Sequence, residues 1–168
     1  IAEGCRFHHP DRIVLDDDVR INVGALIYGS GGVRIGRHAR IGPRVFIHSA
    51  NHGSDPNDER ALFERGYEYE SVEIGDNCLI SANVSILSGA RLANGVFVAC
   101  GAVAIKGEYP DGCRVMGVPG RAVMPDLNAA PPEAPSIAIV TPRQGSYRQA
   151  AELLIESLGL PQVRVFEE

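Results

Sequence analysis

Large aromatic side chains are scarce in this sequence, which has no tryptophan and only five phenylalanines and five tyrosines among 168 residues. Such a composition suits narrow coils that cannot hold large rings. The sequence also lacks any apolar run near the 18 residues that a membrane-spanning helix requires. We therefore expect a soluble protein without a membrane span.

Cysteine and basic residues are also in short supply. The four cysteines, Cys5, Cys78, Cys100 and Cys113, form no CxxC pair, so we expect reduced structural thiols, no metal site and a cytoplasmic location. Sixteen basic residues stand against 21 acidic ones, which gives a net charge of −5. Binding to nucleic acid needs a clustered basic face, and the charge balance argues against it.

The sequence does contain a strict period of six between positions 74 and 105. Large aliphatic residues recur at Ile74, Ile80, Ile86, Leu92 and Val98. Small or medium apolar residues follow each of them four positions later, at Cys78, Val84, Ala90, Val96 and Ala102. This spacing fits neither a helix nor a simple strand, and it predicts a solenoid of short strands and tight turns. Nineteen glycines and eleven prolines agree with a chain of many turns.

The same period appears upstream and is then interrupted. Ile35, Ile41 and Ile47 are spaced by six, and Gly36 and Gly42 each follow an isoleucine. These glycines predict turns that need either a residue without Cβ or a permissive φ. Residues 51–71 are polar, with a possible short helix at 59–65, and the repeat resumes afterwards. We therefore expect the insertion to project from a continuous wall, and such a long excursion suggests a function.

The C-terminal part differs from the repeat. Residues 126–136 are rich in proline and alanine and predict a linker after a β-helix domain at 1–125. We expect strands at 137–141 and 163–166 and a helix at 146–159, so that 137–168 forms a small β-α-β-like appendage. It is too short for an independent core, and its role stays open.

Four blocks of sequence carry a resemblance to a known family. They are VRIGRHARIGPRVFI, SANHGSDPNDER, VEIGDNCLISANVSILSGARLANG and ACGAVAIKGEYPDGCRVMGVPGRAV. In this order they resemble the hexapeptide-repeat acyltransferases, above all the maltose/galactoside and bacterial surface-polysaccharide O-acetyltransferases. The resemblance implies an all-β solenoid, a left-handed parallel β-helix with an extruded active-site loop. It also implies a homotrimer with active sites between subunits.

The resemblance assigns residues to the acceptor side of the reaction. The family's general base, a histidine at the start of the insertion, corresponds to His52, and an acceptor-positioning asparagine corresponds to Asn22. An imidazole with a pKa near about 6.5 can take the proton of an attacking hydroxyl at neutral pH. Among the acidic residues of the insertion we select Glu70 as an acceptor contact. His48 either borders the acceptor site or occupies a plain turn.

The resemblance also assigns the donor side, where acetyl-CoA would lie between subunits. The backbone N–H of Ala82 corresponds to the family's oxyanion donor, although Leu79-Ile80-Ser81 replaces a W-I-G stretch. The residues that correspond to the donor groove and its phosphate contacts are Ala99, Gly101, Ala102, Lys106 and Arg121. Ile105 replaces a threonine, which removes a hydroxyl contact. No metal is expected.

The predicted function is acetyl-CoA-dependent O-acetylation of a sugar hydroxyl, on a bacterial surface polysaccharide or its precursor. N-acetylation of an amino sugar would use the same base and donor, so it remains an alternative. A β-helix scaffold without activity is the second alternative, favoured by the departures at Leu79, Ser81 and Ile105. A γ-class carbonic anhydrase needs convergent histidines, and residues 72–125 contain none.

Overall fold

A computed structural model describes residues 1–125, 138–141 and 164–167. The chain divides into two compact units, Ile1–Pro125 and Asp126–Glu168. The first unit is a β-solenoid in which every coil contributes one short strand to each of three sheets. Within the described ranges, no helix has the length and apolarity to cross a bilayer.

The three sheets, named A, B and C, are built from strands of two or three residues. Sheet A contains β1 (Arg6–His8), β4 (Leu26–Tyr28), β7 (Phe46–His48), β12 (Ser85–Ile86) and β15 (Val103–Ala104). Sheet B contains β2 (Ile13–Leu15), β5 (Val33–Ile35), β10 (Val72–Ile74), β13 (Ala90–Leu92) and β16 (Gly107–Tyr109). Sheet C contains β3 (Arg20–Ile21), β6 (Arg40–Ile41), β11 (Leu79–Ile80), β14 (Phe97–Val98), β17 (Arg114–Met116) and β18 (Arg121–Val123). Pairing is parallel throughout, except that β18 returns antiparallel to β17.

The core is a stack of aliphatic side chains that repeats from coil to coil. In sheet C, for example, Ile21, Ile41, Ile80, Val98 and Val115 occupy one register, and none is more than 3% exposed. The large aliphatic residues of the predicted ladder and the apolar residues four positions later are all buried as well. Burying each large side chain contributes about 1.5–3 kcal/mol. The solenoid predicted from the period of six is confirmed.

The glycines after the isoleucines serve close packing between coils. A Cβ on Gly42 would lie 2.7 Å from the carbonyl carbon of Ser81 in the next coil. Neither Gly36 nor Gly42 has a positive φ; the left-handed conformation falls two residues later, at His38 (φ 59) and Arg44 (φ 54). Of the two reasons predicted for these glycines, the absence of a Cβ is therefore the one that applies.

The insertion leaves the wall after β7 and returns at β10. Its two ends pair antiparallel as β8 (Ala50–His52) and β9 (Tyr67–Tyr69). Strand β10 then pairs with β5 in register, so the wall is continuous as predicted. The helix expected at 59–65 is only a single 3₁₀ turn at Leu62–Glu64, soon followed by Gly66 at φ 77. A second 3₁₀ turn lies at Pro10–Arg12.

The second unit contains two described strands. Strand β19 (Ala138–Thr141) pairs in parallel with β20 (Arg164–Glu167), and Ala138 is in register with Arg164. Parallel neighbours need a crossover connection, as a β-α-β arrangement would provide. The predicted linker at 126–136 and helix at 146–159 lie outside the described residues.

Candidate active site at two corners of the coil

The predicted site residues lie at two different corners of the solenoid. The A–B corner is formed by the segments that leave sheet A strands for sheet B, and the C–A corner by those that leave sheet C strands for sheet A. The A–B corner carries His52, Glu70 and Lys106. The C–A corner carries Asn22, Ala82, Ala99, Gly101 and Ala102, whereas Arg121 lies on the terminal strand β18.

Sheet A separates these two corners. Its β7 strand has three residues, which at about 3.3 Å per residue gives a width of roughly 10 Å. His52 follows a sheet A strand, and Asn22 and Ala82 precede sheet A strands. A single chain therefore does not bring the proposed base together with the proposed oxyanion donor.

His52 is the last residue of β8, where the insertion begins. Its register partner on β9 is Tyr67, and the two ring centroids are 4.5 Å apart. The side chain is exposed, and no hydrogen bond to its imidazole occurs within the described residues. The tyrosine ring limits the orientation of the imidazole while both nitrogens stay accessible. Sequence reasoning missed Tyr67, although the pairing of the insertion's two ends would have indicated it.

His48 lies in strand β7, so the predicted turn position is wrong. Its ring contacts Tyr28 and Phe46, at centroid distances of 5.1 Å and 5.7 Å. Burial against these rings lowers the pKa of His48, and the nearby His52 lowers it further. His48 therefore favours its neutral form on the outer face of sheet A.

Glu70 and Lys106 contact each other at the A–B corner. The Lys106 ammonium donates to a carboxylate oxygen of Glu70, across a separation of 36 positions in the sequence. Both residues line a shallow depression of about 400 Å³ together with Gly89 and Arg91. The sequence assigned these two residues to opposite sides of the reaction, whereas the structure joins them in one ion pair.

At the C–A corner, the backbone N–H of Ala82 has no hydrogen-bond partner within the described residues. Its neighbours do have partners: the N–H of Ser81 donates to Val98, and that of Asn83 donates to Pro43. A backbone donor without an acceptor is a group that can bind a developing oxyanion. This geometry is compatible with the role expected for Ala82.

The other residues of this corner differ in how accessible they are to a ligand. The side-chain oxygen of Asn22 accepts from the N–H of Val23 at 2.8 Å, and its amide NH₂ has no hydrogen-bond partner within the described residues. Gly101 is exposed with a φ of 71°, and nothing lies within 4 Å of a Cβ placed there. Ala102, in contrast, is a core residue at 1% exposure. A ligand could therefore approach Gly101 but not the side chain of Ala102.

The outer faces of the sheets differ in polarity. On sheet A the outward residues from β4 to β15 are half-buried, and most are apolar or aromatic: Leu26, Tyr28, Phe46, His48, Ser85 and Val103. Strand β1 adds the exposed outward residues Arg6 and His8. On sheet B, charges of opposite sign occupy successive register positions, namely Arg34, Glu73, Arg91 and Glu108. Covering sheet A from β4 onward would therefore remove more apolar surface from water than covering the charged sheet B.

Two arginines that sequence reasoning missed lie next to Asn22. Arg20 and Arg40 are register partners on β3 and β6, and with Asn22 they line a depression of about 320 Å³. Their separation of twenty positions equals the local length of a coil, which was the available signal. Within the described residues, no cluster of three or more His, Cys, Asp or Glu could hold a metal.

No protein-family model matches the chain. The Escherichia coli protein named "Putative lipopolysaccharide biosynthesis O-acetyl transferase WbbJ" is 32% identical over 117 residues, which are 66% of this chain and 59% of that protein. The galactoside O-acetyltransferase of Lactococcus lactis is 31% identical over 86 residues, which are 51% of this chain and 39% of that protein. The chain thus spans less than two thirds of the length of these curated relatives.

Solved structures agree on the fold. A hexapeptide-repeat acetyltransferase of Vibrio cholerae, in complex with acetyl coenzyme A, matches with a TM-score of 0.64 at 24% identity over 73% of this chain and 65% of that one. A maltose O-acetyltransferase of Clostridium difficile matches with a TM-score of 0.66 at 24% identity over 73% of this chain and 64% of that one. The resemblance predicted from the sequence is confirmed: residues 1–125 have the left-handed parallel β-helix of the hexapeptide-repeat acyltransferases.

Proposed function

We propose that the chain is an acetyl-CoA-dependent O-acetyltransferase that acts on a sugar hydroxyl of a bacterial surface polysaccharide or its precursor. The observation that carries the proposal is the exposed imidazole of His52 at the start of an insertion that stands off the β-helix wall. The names of the curated relatives, which include O-acetyltransferases of lipopolysaccharide biosynthesis and of galactosides, support the substrate class.

In the proposed reaction, His52 takes the proton of the sugar hydroxyl as its oxygen attacks the thioester carbonyl of acetyl-CoA. The tetrahedral intermediate carries its negative charge on the former carbonyl oxygen, where the Ala82 N–H can donate to it. The C–S bond then breaks, the acetyl ester remains on the sugar, and the CoA thiolate takes the proton back from the imidazolium. A positioned base contributes about 10²–10⁴-fold to such a rate.

The donor would lie along the C–A corner. Ala99 has only a methyl group there and Gly101 has no side chain, so the pantetheine can approach the backbone. Arg121, and Lys106 from the A–B corner of a neighbouring subunit, would bind the phosphates of CoA. Because Lys106 is paired with Glu70, a phosphate has to compete with the Glu70 carboxylate for this ammonium. Glu70 would then turn toward the acceptor.

A homotrimer would complete the site. If sheet A of each subunit faces a three-fold axis, its apolar outer face is covered on all three subunits. The A–B corner of one subunit then meets the C–A corner of the next, which brings His52 of one chain to Asn22 and Ala82 of its neighbour. The polarity of sheet A and the division of the site residues between two corners both support this assembly.

The test is thiol release from acetyl-CoA in the presence of a panel of sugar acceptors. We expect His52→Ala to lower turnover at least about a hundredfold, because the hydroxyl loses its base. His9→Asn is the matched control: His9 is also exposed, and asparagine tolerates its φ of 54°. Turnover of His52→Ala equal to that of the wild type would refute the assignment of the base.

The same assay separates the alternatives. Mild alkali removes an O-acetyl ester but not an N-acetyl amide, so mass spectrometry of the product before and after alkali distinguishes a hydroxyl acceptor from an amine. Acetyl-CoA binding without thiol release for any acceptor would support the inactive scaffold.

A further inference from the structure

The depression beside Asn22 lies on the outer face of sheet C and has a volume of about 320 Å³. Five residues give it its chemistry: Arg20, Asn22, Arg40, Gly42 and Leu79. Strands β3, β6 and β11 place Arg20, Arg40 and Leu79 in one register, so these three side chains form a row about 4.8 Å apart. The depression is therefore a continuous surface that runs from two guanidinium groups to an apolar side chain.

Asn22 and Gly42 form the adjacent column at the C–A corner. The N–H of Asn22 donates to Ile41, and the N–H of Gly42 donates to Ile80, so the two residues stack in successive coils. Because Gly42 has no side chain, the depression extends between Asn22 and Ser81. It reaches the same corner as the unpaired N–H of Ala82.

The two arginines of this depression differ in how many of their N–H groups donate hydrogen bonds within the protein. Arg40 is held by Asp18: Nη1 donates to the Asp18 carbonyl at 2.6 Å, and Nη2 donates to the carboxylate at 2.9 Å. Arg20 makes one long contact, from Nε to Asp18 at 3.4 Å. Both Nη groups of Arg20 lack a hydrogen-bond partner within the described residues, and its side chain is 72% exposed. Arg20 therefore presents an open fork of donors.

The charge around the depression is positive. Asp18 is the acidic residue in contact with both arginines, and hydrogen bonds from Arg40 and His38 hold its pKa well below the usual value, so it stays ionised. Arg44 adds a third guanidinium at this corner, where its Nε donates to the neutral Asn83. Glu3 also lies at this corner, where its backbone carbonyl accepts a hydrogen bond from the N–H of Gly24. The single negative charge of Asp18 faces the two positive charges of Arg20 and Arg40, so this group of three side chains keeps a net positive charge.

On the basis of the proposed function, we propose that the acceptor is an anionic sugar, with its carboxylate or phosphate bound by Arg20 and Arg40 in this depression. A guanidinium fork matches both anions in a bidentate geometry. Asp18 holds Arg40 in place, Arg20 supplies the open fork, and Leu79 packs against the apolar face of the ring. The hydroxyl to be acetylated would lie on the Asn22 side, toward the C–A corner.

The test compares sugars of the same ring configuration that differ in the group at carbon 6: a methyl hexoside, the corresponding methyl hexuronide and the corresponding methyl hexoside 6-phosphate. Acetylation is compared at the ring hydroxyls, which all three sugars share. We expect kcat/KM to be at least about tenfold higher for one or both anionic members, because a hydrogen bond to a charged group contributes this much. Arg20→Gln should lower the ratio of anionic to neutral kcat/KM at least about tenfold. Arg34→Gln, which removes an exposed arginine from sheet B, should keep the ratio of the wild type.

The outcomes distinguish this inference from the proposed function. A preference for the uronide alone identifies a carboxylate site, and a preference for the phosphate alone identifies a phosphate site; either supports the inference. Equal or better turnover of the neutral sugar overturns it and leaves the acetyltransferase assignment intact. If none of the three sugars is acetylated, titration calorimetry with the same three sugars decides the inference, and the proposed function is tested separately with the wider acceptor panel. The inference is supported if an anionic sugar binds to the wild type and this binding is lost in Arg20→Gln. It is overturned if the neutral and anionic sugars bind equally well, or if none of them binds.

Discussion

Single residues of the C–A corner include a thiol close to the proposed donor groove. Cys100 is exposed, and the next residue, Gly101, donates its N–H to the carbonyl of Ala82 at 3.0 Å. Cys78 and Cys113 are buried, and desolvation raises the pKa of both thiols. Reactivity toward alkylating agents requires an accessible thiolate. Cys100 can therefore report on whether a ligand covers this corner.

We predict that saturating acetyl-CoA slows the alkylation of Cys100 by iodoacetamide at least about tenfold, because the bound donor excludes the reagent. Peptide mass spectrometry at several time points measures the rate at each cysteine. Free glutathione added to the same reactions is the internal control, because its thiol lies outside the protein and should react equally with and without the donor. Equal rates at Cys100 would place the donor elsewhere.

The residue scale also shows which site contacts a sequence can predict. His52 and Asn22 follow from the resemblance, because each has a fixed distance to a motif. The ion pair between Glu70 and Lys106 joins positions 36 apart, and it depends on where the insertion returns to the wall. The position of Arg40 depends on Asp18, a contact between residues 22 positions apart in neighbouring coils. Such contacts are set by the stacking of coils, which spacing alone does not give.

At the scale of elements, strand β11 has two adjacent residues with different roles, one in the core and one in the proposed acceptor site. Ile80 points into the core and is fully buried, whereas Leu79 points outward, is 46% exposed and lines the depression beside Asn22. Successive side chains of a β-strand point to opposite faces, so Ile80 packs in the core and Leu79 faces the proposed acceptor site.

We predict that Ile80→Ala lowers the free energy of unfolding by about 2–5 kcal/mol, because it leaves a cavity in a close-packed stack. Leu79→Ala should cost less than about 1 kcal/mol, because half of its side chain already contacts water. Urea denaturation of the two variants measures both values. Similar losses for both would contradict the inward and outward assignment of this strand.

Elements differ in how well the sequence predicts them. The period of six predicted inward residues at 35–47 and 74–102, because a large aliphatic residue recurs where each strand faces the core. The predicted helix at 59–65 became a single 3₁₀ turn, since this segment buries no apolar stripe and Gly66 follows it closely. For His48 the sequence left open a plain turn or the border of the acceptor site; the residue extends β7, and its ring packs on Phe46 and Tyr28. The position of His48 is therefore set by ring stacking on the outer face of sheet A.

At the scale of the whole molecule, the division of the site between two corners leads to a test of the proposed trimer. His52→Ala and Asn22→Ala should each be inactive alone. In trimers assembled at random from equal amounts of both variants, an intact His52 meets an intact Asn22 of the neighbouring subunit at about one site in four. Co-expression should therefore restore about a quarter of wild-type turnover.

The control for this experiment is a mixture of the two variants purified separately, which should stay inactive as long as subunits do not exchange. Light scattering establishes that the co-expressed material has the mass of a trimer. Absence of rescue in confirmed mixed trimers would mean that His52 and Asn22 do not act in a shared site between subunits.

The continuity of the wall behind the insertion has a consequence for how such a protein can diversify. Because β10 pairs with β5 as if residues 51–71 were absent, the loop can change in length or sequence without any shift in the register of the coils. Loops grafted from relatives would then exchange one wall of the acceptor pocket and leave the thioester side unaltered. Acceptor preference can therefore evolve, or be engineered, through the loop, while the coils of the solenoid and the proposed donor groove stay the same.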